Sequence, residues 1–317
     1  MEDTACEIER LVNASFAPAT QQAYNQGIRM FLQFCSQREV DARWPVSESI
    51  MAHFVAAMSL EGKSAATVKT YLAGLSASHK LKGFEDPTDS FLIRKLLKGL
   101  ARETRSQDSR LPITLPRLIE LVDCLQSICK DSYETLLFKA AFVMAYFGCF
   151  RISELLGQSP QLVAMGGRPA LAVEDIIASM PQVIVKLVGS KTDQCANGQL
   201  VTLSPYTTTR RICPVLTLAD YFNRRPGGKG AIPSRSGASG PLFVHGDGSS
   251  LTQFQFQSVL KKAARFLGWP SAGFSSHSFR IGAATSAALN GATAEHIMAM
   301  GRWKSSAFRG YCRLDRV

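Results

Sequence analysis

The chain has 317 residues, 46% of them apolar and 19% charged, with a formal net charge of +11. That apolar content excludes a disordered chain, and the length allows two domains. The positive excess points to a polyanionic partner, nucleic acid above all, with plain basic solubility as the alternative. The opening MEDTACEIER is acidic rather than apolar and does not read as a secretory signal. The longest apolar run, Ala140 to Phe150, is too short to span a bilayer. The eight cysteines are scattered and form no C-x-x-C pair. They read as thiols of a reducing compartment, not as a disulfide framework or a zinc site.

In chain order, residues 19–103 read as four helices. TQQAYNQGIRMFLQFCSQ places Tyr24, Ile28, Phe31 and Phe34 at helical spacing. Ser47 is the expected N-cap of a helix through Met58. SAATVKTYLAGLSASHKLKG begins at a serine, puts Val68, Tyr71, Leu72 and Leu75 on one face and ends at Gly83. SFLIRKLLKGLARET supplies the fourth. RETRSQDSRLPIT then loses periodicity and reads as a basic linker over 104–113. Arg94, Lys95, Lys98, Arg102, Arg105 and Arg110 make this the densest basic stretch, suited either to contacting DNA phosphates or to a solvated hinge. Helices are expected again over about 116–128 and 132–148. ALAVEDIIAS, QVIVKLVGS and GQLVTLSP alternate and are rich in β-branched residues, which predicts a small antiparallel sheet. Helical patterning returns from about Leu216 and from Thr252, either side of a Gly/Pro/Ser-rich loop from Pro226 to Gly240. The fold class expected is mainly α with a small antiparallel β-sheet.

Four short stretches carry chemistry. In GCFRISELLG, Arg151 stands between Phe150 and Ile152, so its guanidinium is partly buried and needs an acidic partner or an anionic ligand. A local Arg151–Glu154 helical pair would also satisfy it. VGSKTDQ puts Lys191 in a turn between strands, by itself an ordinary hairpin lysine. SSHSFRIGA places His277 and Arg280 one turn apart on one helix face, with Ser275 or Ser276 available as cap. The apolar remainder buries the opposite side, and Asn290-Gly291 ends the helix. GRWKSSAFRGYCR holds Trp303 after a glycine turn and Tyr311 on a short final helix capped by Ser305. His53, His79, His245 and His296 read as structural or surface histidines, and Cys312 as a core thiol.

The order Arg151, Lys191, His277, Arg280, Trp303, Tyr311 resembles that of the tyrosine recombinases, the phage-integrase-like family. FRISEL is similar to the family's first arginine box and HSFR to its H-x-x-R box, and Trp303 stands where the family carries His or Trp. GSKTDQ, CPVLTLADYF and GRWKSSAF look most like recombinases of eukaryotic mobile elements, the DIRS-like and Crypton-like kind. The chain departs from well-known members in the eight-residue step from Trp303 to Tyr311, one residue shorter, and in ending soon after Tyr311. The resemblance implies a helical core-binding domain over 1–103, the linker over 104–113, and a mixed α+β catalytic domain over 114–317.

It also implies a site-specific recombinase, a metal- and ATP-independent DNA strand transferase. Tyr311 would be the nucleophile and Lys191 the general acid. Arg151 and Arg280 would clamp the phosphate, while His277 and Trp303 assist. Glu154 would orient the arginines or the histidine from behind. The partner implied is double-stranded DNA, bound by a homotetramer with a dimer per site, with no membrane, small-molecule substrate or cofactor. The location implied is the nucleus in a eukaryote, or the cytoplasm and nucleoid in a prokaryote, not outside the cell. A recombinase-derived DNA-binding protein and a type IB topoisomerase are the alternatives.

Overall fold

The structure is a computed structural model that describes residues 2–104, 108–156, 171–187, 198–227 and 240–316. It divides into two compact units, one up to Asp108 and one from Ser109 onward.

The described residues of the first unit form α1 (Glu2–Ser15), α2 (Pro18–Arg38), α3 (Glu48–Leu60), α4 (Ala65–Leu81) and α5 (Phe91–Glu103). Three serines set three of the helix starts. Ser47, Ser64 and Ser90 accept from the backbone N–H of Ile50, Thr67 and Ile93 at 3.2–3.3 Å, each satisfying a donor the helix itself leaves open. Phe31, Phe54, Met51, Val68, Leu75 and Ile93 are fully buried. Helices α2 and α4 cross closely because each contributes a glycine. A Cβ on Gly27 would lie 2.6 Å from the Tyr71 carbonyl oxygen, and one on Gly74 2.6 Å from that of Tyr24. His79 is structural: its Nε2 accepts from Val46 N at 3.1 Å, its Nδ1 bonds Leu75 O, and its ring packs at a tilt against Trp44. Helix α1 was not anticipated. Its apolar Ile8 and Leu11 stay exposed, so it carries no buried face for a periodicity reading to find.

The second unit contains α6 (Leu115–Ile128), α7 (Ser132–Phe147), α8 (Ile152–Leu155), β1 (Ile176–Ser179), β2 (Gln182–Leu187), β3 (Gln199–Leu203), α9 (Pro214–Arg224), α10 (Gln253–Phe266), α11 (His277–Leu289) and α12 (Ala294–Gly301). Helix α7 is buried on nearly every side from Leu137 to Tyr146, which makes it the central strut, with α6, α9 and α11 packed around it. The strands pair antiparallel in the order β1-β2-β3, with Ile176 opposite Val185 and Val185 opposite Val201. Ile176, Val183, Val185, Leu187 and Leu203 face the core. The first strand is shorter than its sequence suggests. Val173–Asp175 is a 3₁₀ turn, held by Asp175 accepting from Ala172 N at 2.9 Å.

The segment read as a linker is in part integral to this unit. Leu111 N donates to Gly273 O at 2.8 Å, Ile113 N donates to Ser278 O at 3.0 Å, and Ile113 is fully buried. Helix α12 was not anticipated either, and α8 only as the alternative local Arg151–Glu154 helical pair. Among the described residues, no helix is long and apolar enough to cross a membrane.

Candidate active site

The site is built from three walls, two of them shaped by left-handed backbone turns at Cys149 and Arg302. Helix α7 ends at Gly148, and Cys149 then takes a left-handed conformation with φ +46°. This turns the carbonyls of Gly148 and Cys149 away from the helix and delivers Arg151 to the N-cap of α8. Phe150 folds back so closely that a Cβ on Gly148 would lie 2.0 Å from its ring. Arg151 donates through Nη1 to Glu154 Oε1 at 2.8 Å, and its backbone N–H donates to Oε2 at 2.9 Å. The local pair is therefore present, and its carboxylate is shared with a further arginine: Arg302 Nη2 donates to Glu154 Oε2 at 2.7 Å. Glu154 has a side chain only 1% exposed. Burial pushes its carboxyl pKa up, but the charge of Arg302 and the hydrogen bonds from Arg151 outweigh this and hold it below the ordinary carboxylate value.

Helix α11 supplies the second wall. It begins at His277 without a hydroxyl cap. Instead Ser276 N donates to the Gln257 side chain at 2.8 Å, and Ser275 N donates to Ser278 Oγ at 3.0 Å. One turn on, Arg280 is completely buried. Its Nη1 donates to Cys149 O at 2.6 Å, and its Nη2 donates to Gly301 O. Burial, joined by repulsion from Arg151 and Arg302, lowers the Arg280 pKa. Two guanidiniums thus share one carboxylate while the third, Arg280, is held nearby by backbone carbonyls, an excess of positive charge that an anion would relieve.

The third wall follows α12. Gly301 has no Cβ because one would stand 1.7 Å from the Trp303 ring. Arg302 takes φ +56°, and Trp303 lies over Arg280 with the guanidinium 4.5 Å from its ring centroid. Tyr311 sits on a 3₁₀ turn, Ser306–Tyr311, rather than an α-helix, and Ser305 caps that turn by accepting from Ala307 N. The Tyr311 hydroxyl and His277 Nε2 are hydrogen-bonded at 2.9 Å. The Tyr311 ring centroid is 4.8 Å from that of Trp303 and 5.6 Å from the Arg280 guanidinium. Thr285 Oγ1 donates to Ile281 O at 2.8 Å, lies 3.2 Å from Tyr311 O and accepts from Arg313 N at 3.0 Å, which ties the backbone just after the tyrosine to helix α11.

The described members of the sequence motif, Arg151, His277, Arg280, Trp303, Tyr311 and Glu154, therefore converge from four separate chain segments. A model of the phage integrase N-terminal SAM-like domain matches residues 9–82. An integrase/recombinase, a XerD homologue of Selenomonas ruminantium, is 26% identical over 314 residues, covering 96% of this chain and 84% of its own. Together these matches support one family, the phage integrases or tyrosine recombinases. The fold is likewise that of solved tyrosine recombinases. A XerH site-specific recombinase bound to a palindromic difH substrate superposes with TM-score 0.62 at 17% identity, covering 93% of this chain and 76% of its own. A lambda integrase dimer bound to a COC′ core site gives 0.61 at 14%, covering 98% and 94%. The Tn1549 transposon integrase in complex with transposon right-end DNA gives 0.56 at 17%, covering 90% and 88%.

In this recombinase-like chain Lys191 and Arg105 lie outside the described residues. Arg94, Lys95, Lys98 and Arg102 are exposed along α5, with Lys95 over the Phe91 ring, while Arg110 belongs to the second unit and is half-buried. Sequence reasoning missed Arg302, Thr285 and the Cys149 carbonyl. Arg302 had one legible signal, a long cation placed directly after a helix-ending glycine. The other two act through a backbone turn and a long-range contact, which leave no mark on residue type.

Proposed function

We propose that this chain is a site-specific DNA recombinase. What carries the reading is the Tyr311 hydroxyl, held 2.9 Å from His277 Nε2 beside a buried arginine and two further guanidiniums. A phenol paired with a base next to concentrated positive charge suits attack on a phosphodiester. The Tyr311 oxygen would attack phosphorus and pass its proton toward His277. The P–O5′ bond breaks, leaving a 3′-phosphotyrosine and a 5′-hydroxyl whose proton Lys191 would donate. A 5′-hydroxyl from a second duplex then reverses the step, so strands exchange with no net loss of phosphodiester bonds.

Arg151 and Arg280 would take the charge that gathers on the non-bridging oxygens. Losing one such fixed donor typically costs about 3–4 kcal/mol. The Trp303 indole Nε1 is buried without a partner among the described residues, and a phosphate oxygen would satisfy it. The exposed cations of α5, with Arg105 and Arg110, would hold the duplex. A homotetramer on DNA, a dimer per site, is the assembly that strand exchange between two duplexes requires. A mobile element of the DIRS-like or Crypton-like kind is the source that GSKTDQ and GRWKSSAF favour, and it would place the protein in a nucleus. The mobile-element part of that reading is in keeping with the transposon integrase among the structural relatives.

Covalent capture tests the reading. The full chain is mixed with a randomised pool of nicked duplexes and denatured in detergent, and any attached DNA is sequenced. An adduct lost in Tyr311→Phe, with DNA binding retained, is the expected result. An adduct that survives Tyr311→Phe would remove the nucleophile. Binding without any adduct would favour a DNA-binding derivative. Relaxation of supercoiled plasmid with no preferred site would favour a topoisomerase.

A further inference from the structure

We infer that Arg302 is a positioning residue that keeps Glu154 from cancelling the charge of Arg151 and keeps Arg151 aligned toward the bound phosphate; this rests on the recombinase reading and deepens it. Arg302 is not part of the H-x-x-R pair or the first arginine box, yet it ties those two parts of the site together. Its side chain is 8% exposed. Nη1 donates to Gly148 O at 2.9 Å and Nη2 to Cys149 O at 3.3 Å and Glu154 Oε2 at 2.7 Å. Its guanidinium lies over the Phe150 ring, 5.3 Å from the centroid.

Two of those acceptors are the ones the arginine pair depends on. Cys149 O receives Arg280 Nη1, and Glu154 receives both the side chain and the backbone N–H of Arg151. The backbone reinforces the arrangement. Arg302 follows Gly301, whose carbonyl accepts from Arg280 Nη2, and precedes Trp303, which covers Arg280. A left-handed residue at 302 is strained for any side chain but glycine, and here the guanidinium's three bonds hold it there.

The electrostatic consequence follows from the stoichiometry. A buried carboxylate opposite a single guanidinium would neutralise it and draw it inward. With Arg302 on Oε2, Glu154 is charge-balanced from behind. Arg151 then keeps its net charge for a ligand while still being held by Oε1. Removing Arg302 therefore does two separable things: it loosens the 148–151 turn, and it lets Glu154 cancel Arg151.

The test uses the full chain and the nicked duplex that the wild type captures, at saturating DNA in single turnover. The duplex is made both with a normal phosphodiester and with a methylphosphonate at the cleaved link. Thermal melting accompanies each variant. Arg302→Met is expected to slow covalent attachment by about 100-fold, the scale of a misplaced reacting group, with DNA affinity within about threefold. On methylphosphonate, which carries no phosphate charge, the loss should shrink to about tenfold or less. Arg302→Met/Glu154→Gln should be faster than Arg302→Met alone, because the carboxylate that cancels Arg151 is gone. Arg302→Lys, which keeps charge but not the paired bonds, should fall between. A packing role alone would leave the loss equal on both substrates and the double variant no faster, and that pattern would overturn the inference. A full-rate Arg302→Met would sink it while leaving the recombinase reading intact. No Tyr311-dependent adduct from the wild type would sink the reading itself, and Arg302's role with it.

Discussion

Gly282→Ala tests whether the helix that carries His277 and Arg280 is seated as described. Gly282 lies two residues past Arg280 and faces the extended segment through Ile113. An added Cβ would lie 1.7 Å from Ile113 O, 2.2 Å from its carbonyl carbon and 2.8 Å from its nitrogen. Reaching even 3.0 Å from that oxygen requires helix and segment to separate by about 1.3 Å. The obstacle is backbone, so no rotamer change relieves it. The same separation breaks the Ile113 N–Ser278 O bond and strains Leu115 N–Ser286 Oγ, each worth about 1 kcal/mol. Overpacking adds about 1–3 kcal/mol, against a gain of up to about 1 kcal/mol for alanine in a helix.

The expected net loss is about 2–4 kcal/mol, or a Tm drop of about 5–15 °C for a unit of this size. Trp44 is in the first unit, whereas Trp269 and Trp303 are in the second. Fluorescence melting in a Trp44→Phe background therefore reports the second unit alone. Gly99→Ala on α5 of the first unit, where a Cβ meets nothing within 4 Å, is the control and should leave the second unit's melt unchanged. A Gly282→Ala protein as stable as its parent would refute the close seating of α11 on residues 111–114.

Two further outcomes are expected. Lys191→Ala should slow covalent attachment by about 10²-fold or more, and sulfur in place of the 5′ bridging oxygen should restore much of the rate; no rescue would take Lys191 out of the acid role. The first unit should lose stability at low pH through Asp86. Burial alone would raise its carboxyl pKa, but hydrogen bonds from Ser76, Thr88 and Lys80 bring it down from 3.8 to about 2. The folded value lies below the unfolded one, so this contribution is full above about pH 4 and fades as pH falls toward 2. At about 1.4 kcal/mol per unit it amounts to at most about 2 kcal/mol, less whatever solvent screening removes at this partly exposed site. Asp86→Asn should flatten the acid limb of the stability curve, and an unchanged limb would count against the assignment.

Sequence alone determined whatever depends on local periodicity and residue type. Ser47, Ser64 and Ser90 announce helix starts because a hydroxyl before an apolar repeat satisfies an N–H that nothing else nearby can. The alternating runs around Val183 and Val201 announce strands. His277 and Arg280 announce a shared helix face because three residues make nearly one turn. Tertiary structure alone decided what depends on packing across distance. Helix α1 went unread because it buries no face. The reciprocal seats of Gly27 and Gly74, and of Gly282 on Ile113, are steric facts between segments far apart in sequence. Arg302 shows in the sequence only as a cation after a glycine, and its place in the site is decided by the left-handed turn at Cys149 that presents two carbonyls to it. The bond between Tyr311 and His277 joins residues 34 apart in sequence, and only the return of the chain past Trp303 and Thr285 brings them together. Residue type records which chemistry a chain can do, whereas the meeting of those residues depends on backbone reversals and close approaches that only the folded chain makes.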